Sequence, residues 1–154
     1  ILTHMTNNAS VNRLNGFMDT IDKDKYEIVA EFDTGGTTDG AISPSEDIIQ
    51  AHPEITAWFC ANEPSGIGAI SALKAAGKDQ EIKVYAIDAS PDGKALVAEG
   101  SFAGLAAQSP LTIAEKSYEL AMQYLNGEEV PEEYLTECFA VRKDFAEETA
   151  GEWQ

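Results

Sequence analysis

Short β-like apolar runs alternate with amphipathic stretches along most of the chain. The β-like runs fall at residues 1–5, 27–32, 56–61, 82–87 and 102–107. Between them, 11–21, 41–51, 65–76 and 91–99 space their apolar residues as helices do. Leu14, Phe17, Met18 and Ile21 mark one such face, and Ile67, Ile70, Leu73 and Ala75 another. The run Val84-Tyr85-Ala86-Ile87 has apolar residues on both sides of a strand, which predicts a sheet buried on both faces. Punctuation supports these limits. Gly77 follows a helical stretch and can end it in a left-handed conformation. His52-Pro53 ends another, because a residue before proline avoids the helical region. Repeated strand–helix–strand units with right-handed crossovers predict an α/β fold: a doubly wound, mainly parallel sheet with helices on both faces.

The last third changes character. Residues 112–126 form a long amphipathic helical stretch carrying Ile113, Ser117, Leu120, Ala121, Tyr124 and Leu125, closed by Asn126-Gly127. An acidic turn follows at 128–133, then a strand-like run at 138–141 and an acidic tail. There is no internal repeat and no low-complexity segment.

Composition narrows the function classes. At 154 residues, with 44% hydrophobic and 24% charged, the chain suits one ordinary folded domain. Ten Lys and Arg stand against 27 Asp and Glu, a net charge of −17. Such a surface repels nucleic acid and anionic membranes, since phosphate binding needs a basic patch. Cys60 and Cys138 have neither metal nor redox spacing, and Cys60, within Trp58-Phe59-Cys60-Ala61, is expected as a small buried hydrophobe. No apolar stretch approaches the ~20 residues that span a bilayer. No secretory signal is present, and residues 1–5 read as the end of a strand, so the natural chain is expected to start upstream.

In an open parallel sheet, ligands sit beyond the carboxyl ends of the strands. The polar residues just past each run are therefore the candidates. The first run leads to Arg13, the second to Asp33-Thr34-Gly35-Gly36-Thr37-Thr38-Asp39-Gly40, the third to Asn62-Glu63, the fourth to Asp88 and the fifth to Gln108. An arginine fork, two amides and a carboxylate can each pair with adjacent hydroxyls, which suits a neutral, hydroxyl-rich ligand. Singly, each has a plainer role: Asn62 or Asp88 as a helix cap, Arg13 as a solvated helix residue.

Other chemistries find no support. His4 and His52 lack metal-ligand spacing, so no metal is expected. Ser65, in Glu63-Pro64-Ser65-Gly66-Ile67, lacks the leading glycine of a nucleophile elbow. No Gly-Lys-Ser/Thr follows Gly35-Gly36-Thr37-Thr38. Gly66-Ile67-Gly68 lacks the third glycine of a dinucleotide site and predicts close packing instead. Neither a cofactor nor a catalytic residue is expected.

A set of ordered motifs adds a resemblance. Arg13-Leu14-Asn15-Gly16-Phe17, the stretch from Ala51-His52-Pro53 to Asn62-Glu63, Gly68-Ala69 with Ala72-Leu73 and Ala76-Gly77-Lys78, Ile87-Asp88-Ala89-Ser90-Pro91-Asp92-Gly93, Ala107-Gln108-Ser109-Pro110, and Leu125-Asn126-Gly127-Glu128 run in order. Together the motifs resemble the type I periplasmic-binding-protein-like family, specifically the ribose/galactose-type sugar-binding proteins of ABC importers. The resemblance implies a two-lobed clamshell that traps ligand by hinge closure, with this chain as the C-terminal lobe. It implies ligand contacts from Arg13, Asn62, Asp88 and Gln108, with Thr37 or Thr38 adding a hydroxyl. By the same resemblance, 1–110 form the ligand-binding lobe, 111–136 pack on the N-terminal lobe, and 137–154 form a hinge-crossing strand and acidic tail. Ile87 stands where the family often has an aromatic ring, so no stacking partner is expected from these loops.

The implied partners are a small polar ligand such as a sugar, ABC permease subunits, and the N-terminal lobe or a dimer partner to cover the helix at 112–126. The implied location is extracytoplasmic, periplasmic or on a cell-surface lipoprotein. Two alternatives share the fold: the effector domain of a LacI-type regulator and a sensor domain feeding a histidine kinase.

Overall fold

The computed structural model describes residues 1–153. Its elements are β1 (Leu2–Thr3), α1 (Asn8–Thr20), β2 (Phe32–Asp33), α2 (Thr38–Ala51), β3 (Ala57–Phe59) and α3 (Glu63–Ala75). These are followed by β4 (Lys83–Asp88), α4 (Pro91–Glu99), β5 (Gly104–Ala107), α5 (Pro110–Leu125), β6 (Phe139–Val141) and α6 (Lys143–Glu148). The expected alternation is present. Residues 27–31, expected as strand, are not: β2 pairs only through Phe32 and Asp33, opposite Leu2 and Thr3. Ahead of that ladder, the Ile1 amine donates to the Ala30 carbonyl at 2.8 Å and the Phe32 N–H donates to the Ile1 carbonyl at 3.0 Å.

The strands order as β2-β1 and β3-β4-β5-β6. A single parallel bridge between Leu2 and Cys60 joins the two sets, where the Ala61 N–H donates to the Leu2 carbonyl at 2.8 Å. All pairs are parallel except the antiparallel β5–β6 edge. The order therefore reverses between β1 and β3, the switch point at which doubly wound sheets open a crevice.

Right-handed crossovers place α1 on one face and α2, α3 and α4 on the other. The core lies on the three-helix face. Trp58, Cys60, Val84 and Ala86 pack there with Ile48, Ile49, Ile70, Leu73 and Val97. On the other face, Phe17 of α1 stacks on Phe59 with ring centroids 4.1 Å apart and planes 8° from parallel. Beyond that stack, Ala57, Lys83 and Tyr85 are exposed. The expectation of a sheet buried on both sides is thus corrected at β3–β4, because α1 reaches Phe59 but not the next strand. Gly66 and Gly68 serve packing, as expected. A Cβ on Gly66 would lie 2.6 Å from the Phe102 ring, and one on Gly68 would lie 2.5 Å from the Thr38 carbonyl oxygen.

The C-terminal third is less enclosed. No residue of α5 is buried, and Leu111, Tyr118, Met122 and Leu125 along it are exposed. The acidic tail contains α6. Phe145 meets Phe139 edge-on at 5.4 Å, Ala146 is buried, and the ammonium of buried Lys94 donates to Thr149 Oγ1 at 3.2 Å. Only Phe145 and Ala146 in Lys143–Glu148 are apolar, too few to show a helical period.

Candidate functional site

Four helices begin at strand ends in the same manner. The side chains of Asn7, Thr37, Asn62 and Ser90 accept from the backbone N–H three residues on, at Ser10, Gly40, Ser65 and Gly93. Each cap satisfies a donor that the helix itself leaves unpaired. The result gathers helix N-termini and strand carboxyl ends along one edge of the sheet.

Asp88, the last residue of β4, lies at the centre of that edge. Its Oδ1 accepts from Arg13 Nη2 at 3.0 Å and from Gln108 Nε2. Arg13 also donates through Nη1 to the Ala61 carbonyl at 2.9 Å, so one guanidinium on α1 ties the ends of β3 and β4 together. The Arg13 and Asp88 side chains keep 19% and 27% of their surface exposed, which leaves the pair open to a ligand.

The backbone here is unusual. Asp88 has φ 130° and Ala89 φ 59°, and they are the only non-glycine residues at positive φ among those described. Such conformations cost about 1–3 kcal/mol each and persist where surroundings enforce them. Glu63 does the enforcing. Its carboxylate accepts from the Ser90 N–H at 2.9 Å and from the Ser90 hydroxyl, while its own N–H points to Asp88 Oδ2 at 3.4 Å. Glu63 is 5% exposed, and Gly93 leaves room for it, since a Cβ there would fall 2.0 Å from Glu63 Oε2.

The other candidates hold supporting positions. Asn62 caps α3 and donates through Nδ2 to the Gly36 carbonyl at 2.8 Å, which ties β3's end to the loop after β2. Thr37 caps α2, and Thr38 Oγ1 donates to the Pro64 carbonyl at 3.1 Å. Arg13, Asp88 and Gln108 therefore form one bonded cluster, with Asn62 beside it and the threonines engaged with backbone. A cavity of about 330 Å³ opens on the cluster, lined by Glu63, Pro64, Asp88, Ser90, Gln108, Pro110, Ile113 and Trp153. Among the described residues no cluster of His, Cys, Asp or Glu could hold a metal ion. Nor is any described helix long and apolar enough to cross a membrane. Trp153 is not among the sequence candidates, and Glu63 stands there only beside Asn62, with no role of its own. Burial of an acidic residue next to Asn62 is a tertiary fact, and Trp153 is far from the strand ends in sequence.

This geometry coincides with a sequence match. Residues 2–129 match the family model described as a periplasmic binding protein domain. The chain belongs to the periplasmic binding protein family. It is 31% identical over 135 residues to the ribose import binding protein of Salmonella typhimurium, covering 88% of this chain and 45% of that protein. The chain thus spans about half the length of the curated relatives it matches. Among solved structures, it is similar to an ABC transporter solute binding protein from Bacillus halodurans with bound myo-inositol. That match has a TM-score of 0.88 and 26% identity over 96% of this chain and 52% of the other. The fructose binding periplasmic domain of a hybrid two component system gives a TM-score of 0.88 and 26% identity over 95% of this chain and 50% of that one. The family model and the ribose import relatives place the chain in the type I periplasmic binding protein family, a family of sugar-binding proteins rather than enzymes. The doubly wound sheet expected from its pattern is the family's lobe architecture.

Proposed function

We propose that this chain is the C-terminal lobe of a solute receptor for an ABC importer, and that the lobe grips a sugar or cyclic polyol. The observation that carries this is the Asp88 cluster. A partly exposed carboxylate, held by Arg13 and Gln108 at the sheet's switch edge, offers acceptor and donor groups side by side to neighbouring hydroxyls. Asn62, Thr37 and Thr38 complete the polar edge. Relatives named for ribose, D-allose and D-apiose support a sugar as ligand.

In this reading residues 1–110 form the lobe, 111–136 pack on an N-terminal lobe, and 137–154 return across the hinge. The absence of buried residues in α5 supports that packing, because an amphipathic helix gains little from solvent on all sides. The whole receptor is extracytoplasmic, as a periplasmic protein or lipoprotein, and delivers its ligand to permease subunits. The similarity to the fructose binding domain of a hybrid two component system favours one second reading, a sensor that uses the same binding edge. Sugar-dependent phosphotransfer would mark the sensor, and sugar uptake the importer.

The experiment is thermal unfolding of the two-lobed receptor with D-ribose, D-allose or myo-inositol. Binding at 100 times Kd stabilises by about 2.7 kcal/mol. Asp88→Ala should abolish the shift that the wild type shows. A variant stabilised as fully as the wild type would sink the assignment of Asp88.

A further inference from the structure

The loops after the strands supply polar groups but no ring, whereas a cyclic polyol has a C–H face as well as hydroxyls. The cavity at Asp88 meets that need from elsewhere in the chain. Its lining includes Trp153 together with the apolar Pro64, Pro110 and Ile113. The tail that carries the indole is anchored. α6 packs through Ala146 and Phe145, Thr149 accepts from Lys94, and the turn closes with the Glu152 N–H on the Thr149 carbonyl at 3.2 Å and Gly151 at φ 81°. Trp153 itself remains 51% exposed toward the cavity and solvent, a large apolar surface that burial under a ligand would stabilise.

We propose that Trp153 is a ligand-binding residue of the Asp88 site, its indole forming the apolar wall against the C–H face of a pyranose, furanose or cyclitol. The inference rests on the sugar-receptor reading and deepens it. Asp88, Gln108 and Arg13 read the hydroxyl edge, and Trp153 selects ligands that present a flat apolar face. An open-chain polyol, which has no such face, is disfavoured.

The chain has two tryptophans, and the other, Trp58, is 1% exposed in the core. The fluorescence difference between the wild type and Trp153→Phe on sugar binding therefore isolates the contribution of Trp153. In the two-lobed receptor, titrated with D-ribose, D-allose and myo-inositol, Trp153→Ala should weaken binding by about tenfold. Trp153→Phe should restore most of the affinity while losing the part of the fluorescence change that Trp153 contributes. Binding by Trp153→Ala within about twofold of wild type, with Asp88→Asn unable to bind, overturns the Trp153 assignment and leaves the sugar site standing. A loss that neither Phe nor Tyr at 153 restores assigns the residue to tail anchoring and likewise overturns it. If Asp88→Asn binds as well as wild type, the site reading fails and the Trp153 assignment falls with it.

Discussion

At Asp88 the chain accepts backbone strain to point a carboxylate along the sheet edge. The positive φ of Asp88 and Ala89 would relax without Glu63, whose carboxylate holds both donors of Ser90 just after them. Gly93→Ala tests this clamp, because the new methyl would overlap Glu63 Oε2 at 2.0 Å. We expect a loss of about 1–3 kcal/mol in urea unfolding and a reduced sugar-induced shift. Wild-type stability in that variant would contradict the clamp. Arg13, Asp88 and Gln108 were legible in the sequence because each follows a recognisable strand, and the switch-edge rule needs no more than that. Glu63 was not, since an acidic residue in the first turn of a helix ordinarily complements the dipole in solvent. Asn62 reads equally well as a cap and is one, whereas Thr37, expected only to offer a hydroxyl, also proves to be a cap. Burial fixes Cys60 as inert, the apolar surroundings pushing its thiol up to about 12.

Among elements, α2 and α3 pack closely, and glycine permits it. Gly68 lies where any side chain would meet the Thr38 carbonyl oxygen at 2.5 Å and the Ala41 methyl at 2.6 Å. Gly68→Ala is expected to force the two helices apart and lower stability by about 1–3 kcal/mol in thermal or urea melts, because overpacked cores yield only by distortion. An unchanged midpoint would mean that the helices are not held by this approach. The same pair shows how far periodicity reaches. It placed α2 from 41, yet the helix starts at Thr38, because Thr-Thr-Asp-Gly reads as loop until the Thr37 cap is seen. The run at 27–32 reads as a strand by composition, but only its end, from Ala30 to Phe32, is hydrogen-bonded to the first strand. In contrast, α6 has almost no apolar period and gains its helix from tertiary contact with Phe139 and Lys94.

For the whole molecule, the α/β alternation and the parallel order were legible because each strand and helix carries its own pattern. The exposure of α5 and of the Tyr85 side of the sheet was not, because an apolar pattern marks a face without showing whether another element packs on it. The acidic surface, at a net charge of −17, fits a receptor for neutral ligands, since it offers nothing to phosphates. The central claim is that the Asp88 edge grips a sugar. The most direct test is a crystal structure of the two-lobed receptor with the best-bound member of the D-ribose, D-allose and myo-inositol panel. The expected result is a ring with adjacent hydroxyls within hydrogen-bond distance of the Asp88 carboxylate and the Arg13 guanidinium. A sugar bound away from Asp88, with the Arg13–Asp88 pair facing only solvent, would contradict it.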